Sequence, residues 1–166
     1  MTLRMALMLM LALVYAPSAL ADPALPDFSS MPKAAAKDFT VRDGLVYSVR
    51  GFRTPSGAYC TSSSHRGMSA LDCHGRFFGA PDGANSAHLF NNSAEPLRFG
   101  TEDVDFTKTP EFEGHPLPLL LPGVDYAFDN SHCAYIAGYQ LACVMNIQDS
   151  PVGFVAGLAD FAVIGQ

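Results

Sequence analysis

The 166-residue chain has no tryptophan, only ten lysines and arginines, and charged residues at just 16% of its length. Each shortage excludes something. Without tryptophan, the strongest platform for stacking a sugar ring is missing. Sixteen aspartates and glutamates outweigh the bases and give a formal charge of −6. Nucleic acid and anionic membrane surfaces both reward clustered lysine and arginine, and here the bases are scattered, so neither is an expected partner. There is also no G-x-S-x-G nucleophile elbow, no D-x-D-x-D-G calcium loop and no cysteine pair at two-to-four-residue spacing. The simplest signatures of a serine hydrolase, a calcium site and a zinc site are therefore absent.

Long apolar runs are missing too. Arg4 gives a positive start, residues 5–14 carry no polar side chain, and Ala19-Leu20-Ala21 has the small-x-small spacing that signal peptidase reads. That apolar run is about half the roughly 20 residues a bilayer span needs. The expectation is a signal peptide over 1–21, cut before Asp22, with no cysteine at the cut to carry a lipid and no transmembrane segment after cleavage. A periplasmic or secreted location follows, and with it an oxidising space in which the four cysteines become disulfide candidates.

What remains fits a single domain with enough apolar content, 49% of the chain, for a real core. Residues 22–38 read as a flexible N-terminal tether. A short helical stretch is expected over 30–37, capped by Ser30 with Pro32 in its first turn. Residues 39–166 then form one disulfide-stapled β-domain. Twelve prolines and fourteen glycines without a period mark many short elements joined by tight turns. A hairpin is expected from 39–42 and 45–49 about a two-residue Asp43-Gly44 turn, with Leu45, Tyr47 and Val49 on one face. Thr54-Pro55-Ser56-Gly57 and Ala80-Pro81-Asp82-Gly83 read as type I turns. Further strands are expected at 87–90, 97–99, 124–128, 134–136, 139–145 and 154–164, the last with a bend or helical turn. The fold class is all-β: a small antiparallel sandwich or partly open barrel.

Spacing fixes the cysteine pairing. Cys60 and Cys73 are symmetric about Arg66-Gly67, and Cys133 and Cys143 about Gly138. A two-residue loop in the first case, and a three-residue loop of Ala137, Gly138 and Tyr139 in the second, set each pair directly opposite. Opposed residues in antiparallel strands lie within disulfide reach. Of three possible pairings, Cys60–Cys73 and Cys133–Cys143 are the ones expected, as two hairpin disulfides. A four-thiolate zinc site is the alternative, disfavoured by compartment and spacing.

The run Phe52-Arg53-Thr54-Pro55-Ser56-Gly57-Ala58-Tyr59-Cys60, followed by Leu71-Asp72-Cys73, resembles the opening of a secreted bacterial domain family of unknown function. Its pattern is F-x-[ST]-P-S-G-N-x-x-C followed by a V-R-C-like strand. Leu120-Leu121-Pro122-Gly123, Cys133, Leu141-Ala142-Cys143 and Gly153-Phe154 fall in that family's later order. Ala58 stands where asparagine is usual, and the Trp-Gly that members often carry is missing. The resemblance implies a small exported domain and assigns no activity.

Candidate chemistry is sparse. Five histidines (His65, His74, His88, His115 and His132) would permit a triad on paper, yet bonded cysteines offer no thiolate. Ser56 reads as a turn former, and His65 as a solvated tip residue. Glu102, Asp103 and Asp105 lie close together, and Glu111, Glu113 and His115 alternate at strand spacing, but such acidic stretches are ordinarily solvated. No catalytic residue, metal ligand or cofactor is assigned. Binding suits the composition better. Residues 115–123 are apolar and stiffened by three prolines, serving as a lid over the fold or as an exposed ridge. Candidate contact residues are Leu119 and Leu120 with Tyr59, Tyr126, Tyr135 and Tyr139. The reading favoured by sequence is an exported non-catalytic domain that binds a protein or cell-envelope component. An inhibitor of a secreted or wall-degrading hydrolase, and a small histidine-dependent hydrolase, are the alternatives.

Overall fold

The computed structural model describes residues 24–136 and 139–165. The expected signal peptide, and Ala137 and Gly138 of the second cysteine hairpin, lie outside these. The strands are β1 (Thr40–Arg42), β2 (Ser48–Arg53), β3 (Tyr59–His65), β4 (Met68–His74), β5 (Ser86–Phe90), β6 (Leu97–Gly100), β7 (Glu111–Phe112), β8 (His115–Pro116), β9 (Asp125–Phe128), β10 (Ser131–Ala134), β11 (Tyr139–Ile147), β12 (Ser150–Gly157) and β13 (Phe161–Ile164). Strands β1 to β6 pair in chain order into one six-stranded sheet, and β9 to β13 into a second of five. Every pairing is antiparallel, β7 and β8 make a separate hairpin, and neither sheet closes on itself. The fold is all-β, an open sandwich of two meanders. Among the described residues no helix is long and apolar enough to cross a membrane.

Alternation decides which side chains meet between the sheets. In the first sheet Phe52, Cys60, Cys73, Ala87 and Phe99 stand in one cross-strand row facing the core. In the second, Tyr126, Cys133, Cys143 and Phe154 do the same. Both disulfides form as the spacing predicts, Cys60–Cys73 with α-carbons 4.1 Å apart and Cys133–Cys143 with 4.2 Å. All four cysteines are fully buried. The two bridges touch: Cys143 Sγ lies 3.7 Å from Cys73 Sγ and 3.9 Å from Cys60 Sγ, across the sandwich. Leu71, Leu89, Leu141, Met145 and Phe154 close around them without exposed surface.

Several local expectations need correction. The first hairpin does not turn on Asp43-Gly44. Pairing begins at Arg42 with Val49, so residues 43–47 form a longer loop, and Leu45 and Tyr47 are exposed while Val49 is buried. At Pro81-Asp82-Gly83, Asp82 takes a φ of 52°, a left-handed value that a type I turn forbids. The strand carrying Cys133 is Ser131–Ala134 rather than 134–136. The last stretch splits into β12 and β13, joined where Gly157 N–H donates to Asp160 C=O at 2.8 Å. The expected helical stretch is replaced by two 3-10 turns, Phe28–Ser30 and Ala36–Phe39, and Asp27 rather than Ser30 caps the first. Between those turns the supposed tether is tied down. Ala34 N–H donates to Asp125 C=O at 2.8 Å, and Asp125 N–H donates to Pro32 C=O at 3.0 Å.

Because the bridges share a contact, removing them is not additive. Each disulfide alone contributes about 3 kcal/mol in the loop-entropy view. Urea unfolding of the parent, a Cys60→Ala/Cys73→Ala variant, a Cys133→Ala/Cys143→Ala variant and the quadruple variant should give a coupling of at least about 0.5 kcal/mol. Losses that simply add would mean the sulfur contact contributes nothing.

Candidate functional site

Since Cys60, Cys73 and Ala87 point inward, their chain neighbours Tyr59, Asp72, His74, Ser86 and His88 point outward from the first sheet. They form a hydrogen-bonded network. His88 Nδ1 donates to Asp72 Oδ1 at 2.8 Å, while its Nε2 lies 3.2 Å from Ser86 Oγ and 3.1 Å from Glu102 Oε1. His74 Nδ1 lies 3.6 Å from Glu102 Oε2, and the His74 ring stacks on Tyr59 with centroids 4.8 Å apart. Burial, and secondarily the Glu102 charge, raises the Tyr59 phenol above its ordinary value. Asp72, His88 and Ser86 have the connectivity of an orienting carboxylate, a base and a hydroxyl. Ser86 has no exposed surface, however, and Glu102 shares the Nε2 that a base would need. The network orders side chains without presenting a nucleophile to a substrate.

A second feature lies where the N-terminal segment meets the proline-rich stretch. Ala34, Asp38 and Phe39 form one wall of a groove of about 250 Å³, Pro118, Leu119 and Leu121 the other, and Val124 joins them. Phe39 is buried and meets the Tyr126 ring edge-on at 5.6 Å, anchoring the first wall to the core. The second wall is fixed along β2, where Arg53 N–H donates to Pro118 C=O at 2.9 Å and Leu120 N–H donates to Arg53 C=O at 2.8 Å. Leu117 and Leu120 are buried there, while Leu119 is left at 39% and Leu121 at 59% exposure. Residues 115–123 are thus lid and ridge at once.

The first wall is held by charge. The Lys33 ammonium pairs with Asp125, whose side chain has no exposed surface, and His132 Nδ1 lies 3.0 Å from the same carboxylate. Phe28 packs on His132 with ring centroids 5.6 Å apart.

Of the contact residues expected from sequence, only Leu119 lies on the groove. Leu120 and Tyr126 are buried and present no surface to a partner, which corrects that expectation. Tyr126 instead shares a short hydrogen bond with Ser62 inside the sandwich. Tyr59 is half-buried against His74, and Tyr135 and Tyr139 are half-buried near the second cysteine hairpin, so the four tyrosines form no common patch. The acidic stretch disperses. Glu102 turns to the histidines, Asp105 accepts from Thr107, and Glu113 pairs with Arg42. The four sulfurs lie within 4.8 Å of one another, but as two disulfides they offer no thiolate to zinc. Sequence reasoning missed Leu121, Phe39 and Val124 as groove residues, and missed the meeting of Glu102 with His74 and His88.

The pair of half-exposed Lys33 with buried Asp125 and the buried phenol of Tyr126 each give a test. Replacing Lys33 by Met leaves a buried carboxylate with His132 Nδ1 as its remaining side-chain partner, whereas Arg42 and Glu113 are both about half exposed and resolvate freely. Urea unfolding should show Lys33→Met losing about 1–3 kcal/mol and Arg42→Met at most about 0.5–1 kcal/mol. Equal losses would mean the Asp125 charge is not buried as described. At Tyr126, burial pushes the phenol well above its ordinary value, opposed more weakly by the Ser62 hydrogen bond. The folded chain keeps that proton where the unfolded chain releases it, so stability falls as pH rises past about 10. Tyr126→Phe should cost about 1 kcal/mol near neutrality and then lose less than the parent between about pH 9 and 11. Parallel alkaline losses would refute the assignment.

No protein-family model, no curated protein and no solved structure matches this chain, so its reading rests on its own residues and geometry.

Proposed function

We propose that this chain is an exported, non-catalytic β-domain that binds a protein of the cell envelope through the groove between Phe39 and Leu121. The carrying observation is a pair of exposed leucines, Leu119 and Leu121, over a small apolar groove held from both sides by buried anchors. At about 250 Å³ the groove is below the roughly 300–1,000 Å³ of sites that engulf small molecules. It accepts one or two apolar side chains projecting from a larger partner. Asp38 is the only charged side chain in its lining, and the chain's net charge is −6, so an apolar residue beside a base is the best-matched occupant. The leader-like residues 1–21 and two fully buried disulfides support work in the periplasm or outside the cell. The preformed walls suit recognition with little rearrangement.

The experiment is site-specific photocrosslinking in cells. A photoreactive residue at position 121 should capture a discrete protein. The same residue at Asn92, exposed and outside the groove lining, should not. Leu119→Asp should weaken the capture about tenfold or more, the worth of one buried leucine contact. Indistinguishable capture from both positions, or capture indifferent to Leu119→Asp, would remove the groove from function.

A further inference from the structure

The outward N–H and C=O groups of an edge strand invite a further strand, and folded chains blunt their edges against this. Of the four edges of the two large sheets, three are blunted. Pro32 and Ala34 cover β9. β1 has three residues, its register shifts between Thr40 and Arg42, and Arg42 is tied to Glu113. β6 follows Pro96 and carries Arg98, which pairs with Glu95. β13 (Phe161–Ile164) has no proline, no charged side chain and no register shift. Its outward groups follow from the turn before it. Gly157 N–H donates to Asp160 C=O at 2.8 Å, so that opposed pair is hydrogen-bonded, and the pairs beyond it alternate. Ala162 and Ile164 therefore bond to β12, whereas the backbone groups of Phe161 and Val163 point away from it. Among the described residues no hydrogen bond reaches them from the open side. The strand is nonetheless firmly anchored. Phe161 stacks on Phe154 with ring centroids 5.6 Å apart and meets Phe99 edge-on at 5.4 Å, and Val163 packs on the core.

We infer that β13 is a self-association edge, pairing antiparallel with β13 of a second copy about a two-fold axis through Ala162. The strand is its own complement. Phe161 and Val163 flank Ala162 symmetrically, so the axis sets Phe161 opposite the partner's Val163 and each outward N–H against an outward C=O. An aromatic ring opposite a β-branched side chain is a favourable cross-strand pair. Small Ala162 occupies the closely spaced position on the axis. Charge selects this register, because each copy carries −6. Centring the pair on Phe161 would bring the two Asp160 residues to about 7 Å along the strands. Centring it on Ala162 holds them about 13 Å apart, beyond the screening length of about 8 Å. Phe78 precedes Gly79, whose backbone lies against the Asp160–Phe161 peptide, and Leu158 sits in the β12–β13 turn. Both are exposed and widen the apolar margin of the edge. Four strand residues bury less than the roughly 800 Å² per partner of a standard interface, so the dimer is weak and concentration-dependent. Pairing would join the two five-stranded sheets at the end opposite β9. The N-terminal wall of the groove lies at the β9 end, so both grooves stay open whatever they bind.

Sedimentation equilibrium of the purified, disulfide-bonded protein between about 10 μM and 1 mM should show monomer and dimer exchanging. Ala162→Lys sets like charges opposite each other on the outer face, away from the core, and should weaken association at least about tenfold. Leu119→Asp should leave association unchanged, which separates this edge from the groove. On mild oxidation Ala162→Cys should link two copies, since the axis opposes residues 162 at about 4.5 Å. Ile164→Cys, about 13 Å from its counterpart in this register, should not. A parent that stays monomeric to about 1 mM would overturn the pairing. So would association indifferent to Ala162→Lys, association lost in Leu119→Asp, or crosslinking at 164 equal to that at 162. Should Ala162→Lys fail to fold, the two cysteine variants decide.

Discussion

The structure depends on one contact, the meeting of two disulfides at the centre of the sandwich. Cystine is compact, rigid and apolar, and here two of them occupy one spot, with Cys143 Sγ against both sulfurs of the other bridge. That contact sets the register of each sheet. Slipping any of the four cysteine strands by one residue would turn a cysteine to the outer face and leave its partner unreachable. With Cys60, Cys73, Cys133 and Cys143 committed inward, the facing of the residues beside them follows. Phe52, Ala87, Tyr126 and Phe154, opposite them in the same rows, line the core, while Tyr59, His74 and His132, adjacent in the chain, do not. Sites on the surface therefore inherit their positions from sulfur chemistry in the interior.

This explains what the sequence discloses and what it withholds. The disulfide pairing was legible because hairpin symmetry is local: Arg66 and Gly67 take left-handed φ values of 50° and 80°, and the two-residue turn sets Cys60 opposite Cys73. The all-β class was legible from turn chemistry and period-two patterning. Loop lengths were less so, since Asp43-Gly44 carries a hairpin signal that the longer 43–47 loop overrides. The tether expectation failed at Lys33, whose partner Asp125 is 92 residues away. No local pattern encodes such a pair. The groove has the same character, because Phe39 and Leu121 come together only once both sheets exist. Tyr126 and Tyr59 differ in another way. Tyr59 precedes an inward cysteine and had to face out, a signal present in the sequence. Tyr126 alternates on a strand that contains no cysteine, so nothing local marked its facing.

The N-terminal segment turns a buried charge into a positioning device. Asp125 ends the second sheet at its β9 edge, where unpaired backbone groups invite another chain. Pro32 and Ala34 cover it with two hydrogen bonds, and Lys33 neutralises the carboxylate. With Lys33 half exposed the pair adds little net stability, but any arrangement that separates the charges removes a partner from the buried Asp125 carboxylate. A segment that would otherwise be free is thereby held in one place, and its continuation through Asp38 and Phe39 becomes a wall. Specificity of placement, more than stability, is what the pair contributes.

The two sheets play matching roles toward the core and opposite roles outward. In the second sheet two outer rows cross all five strands, Asp125, Ala134, Ala142, Val155, Ala162 and Ala127, His132, Val144, Gly153, Ile164. Asp125 and His132 are their ionisable members, and these meet each other, with Lys33 of the N-terminal segment pairing with the same Asp125 carboxylate. In the first sheet the corresponding rows read Tyr59, His74, Ser86, Gly100 and Thr61, Asp72, His88, Arg98. Polar side chains cluster densely there, although the sandwich needs none of them for its core. A polar network on a sheet face is expensive unless its members satisfy one another. Here His88 is saturated, whereas His74 keeps a buried nitrogen without a hydrogen bond. An outer face built only for solubility would leave such a nitrogen in water. Here the His74 ring is held instead by stacking on Tyr59 beside the clamped Glu102 carboxylate, so order on this face comes from packing as well as from hydrogen bonding.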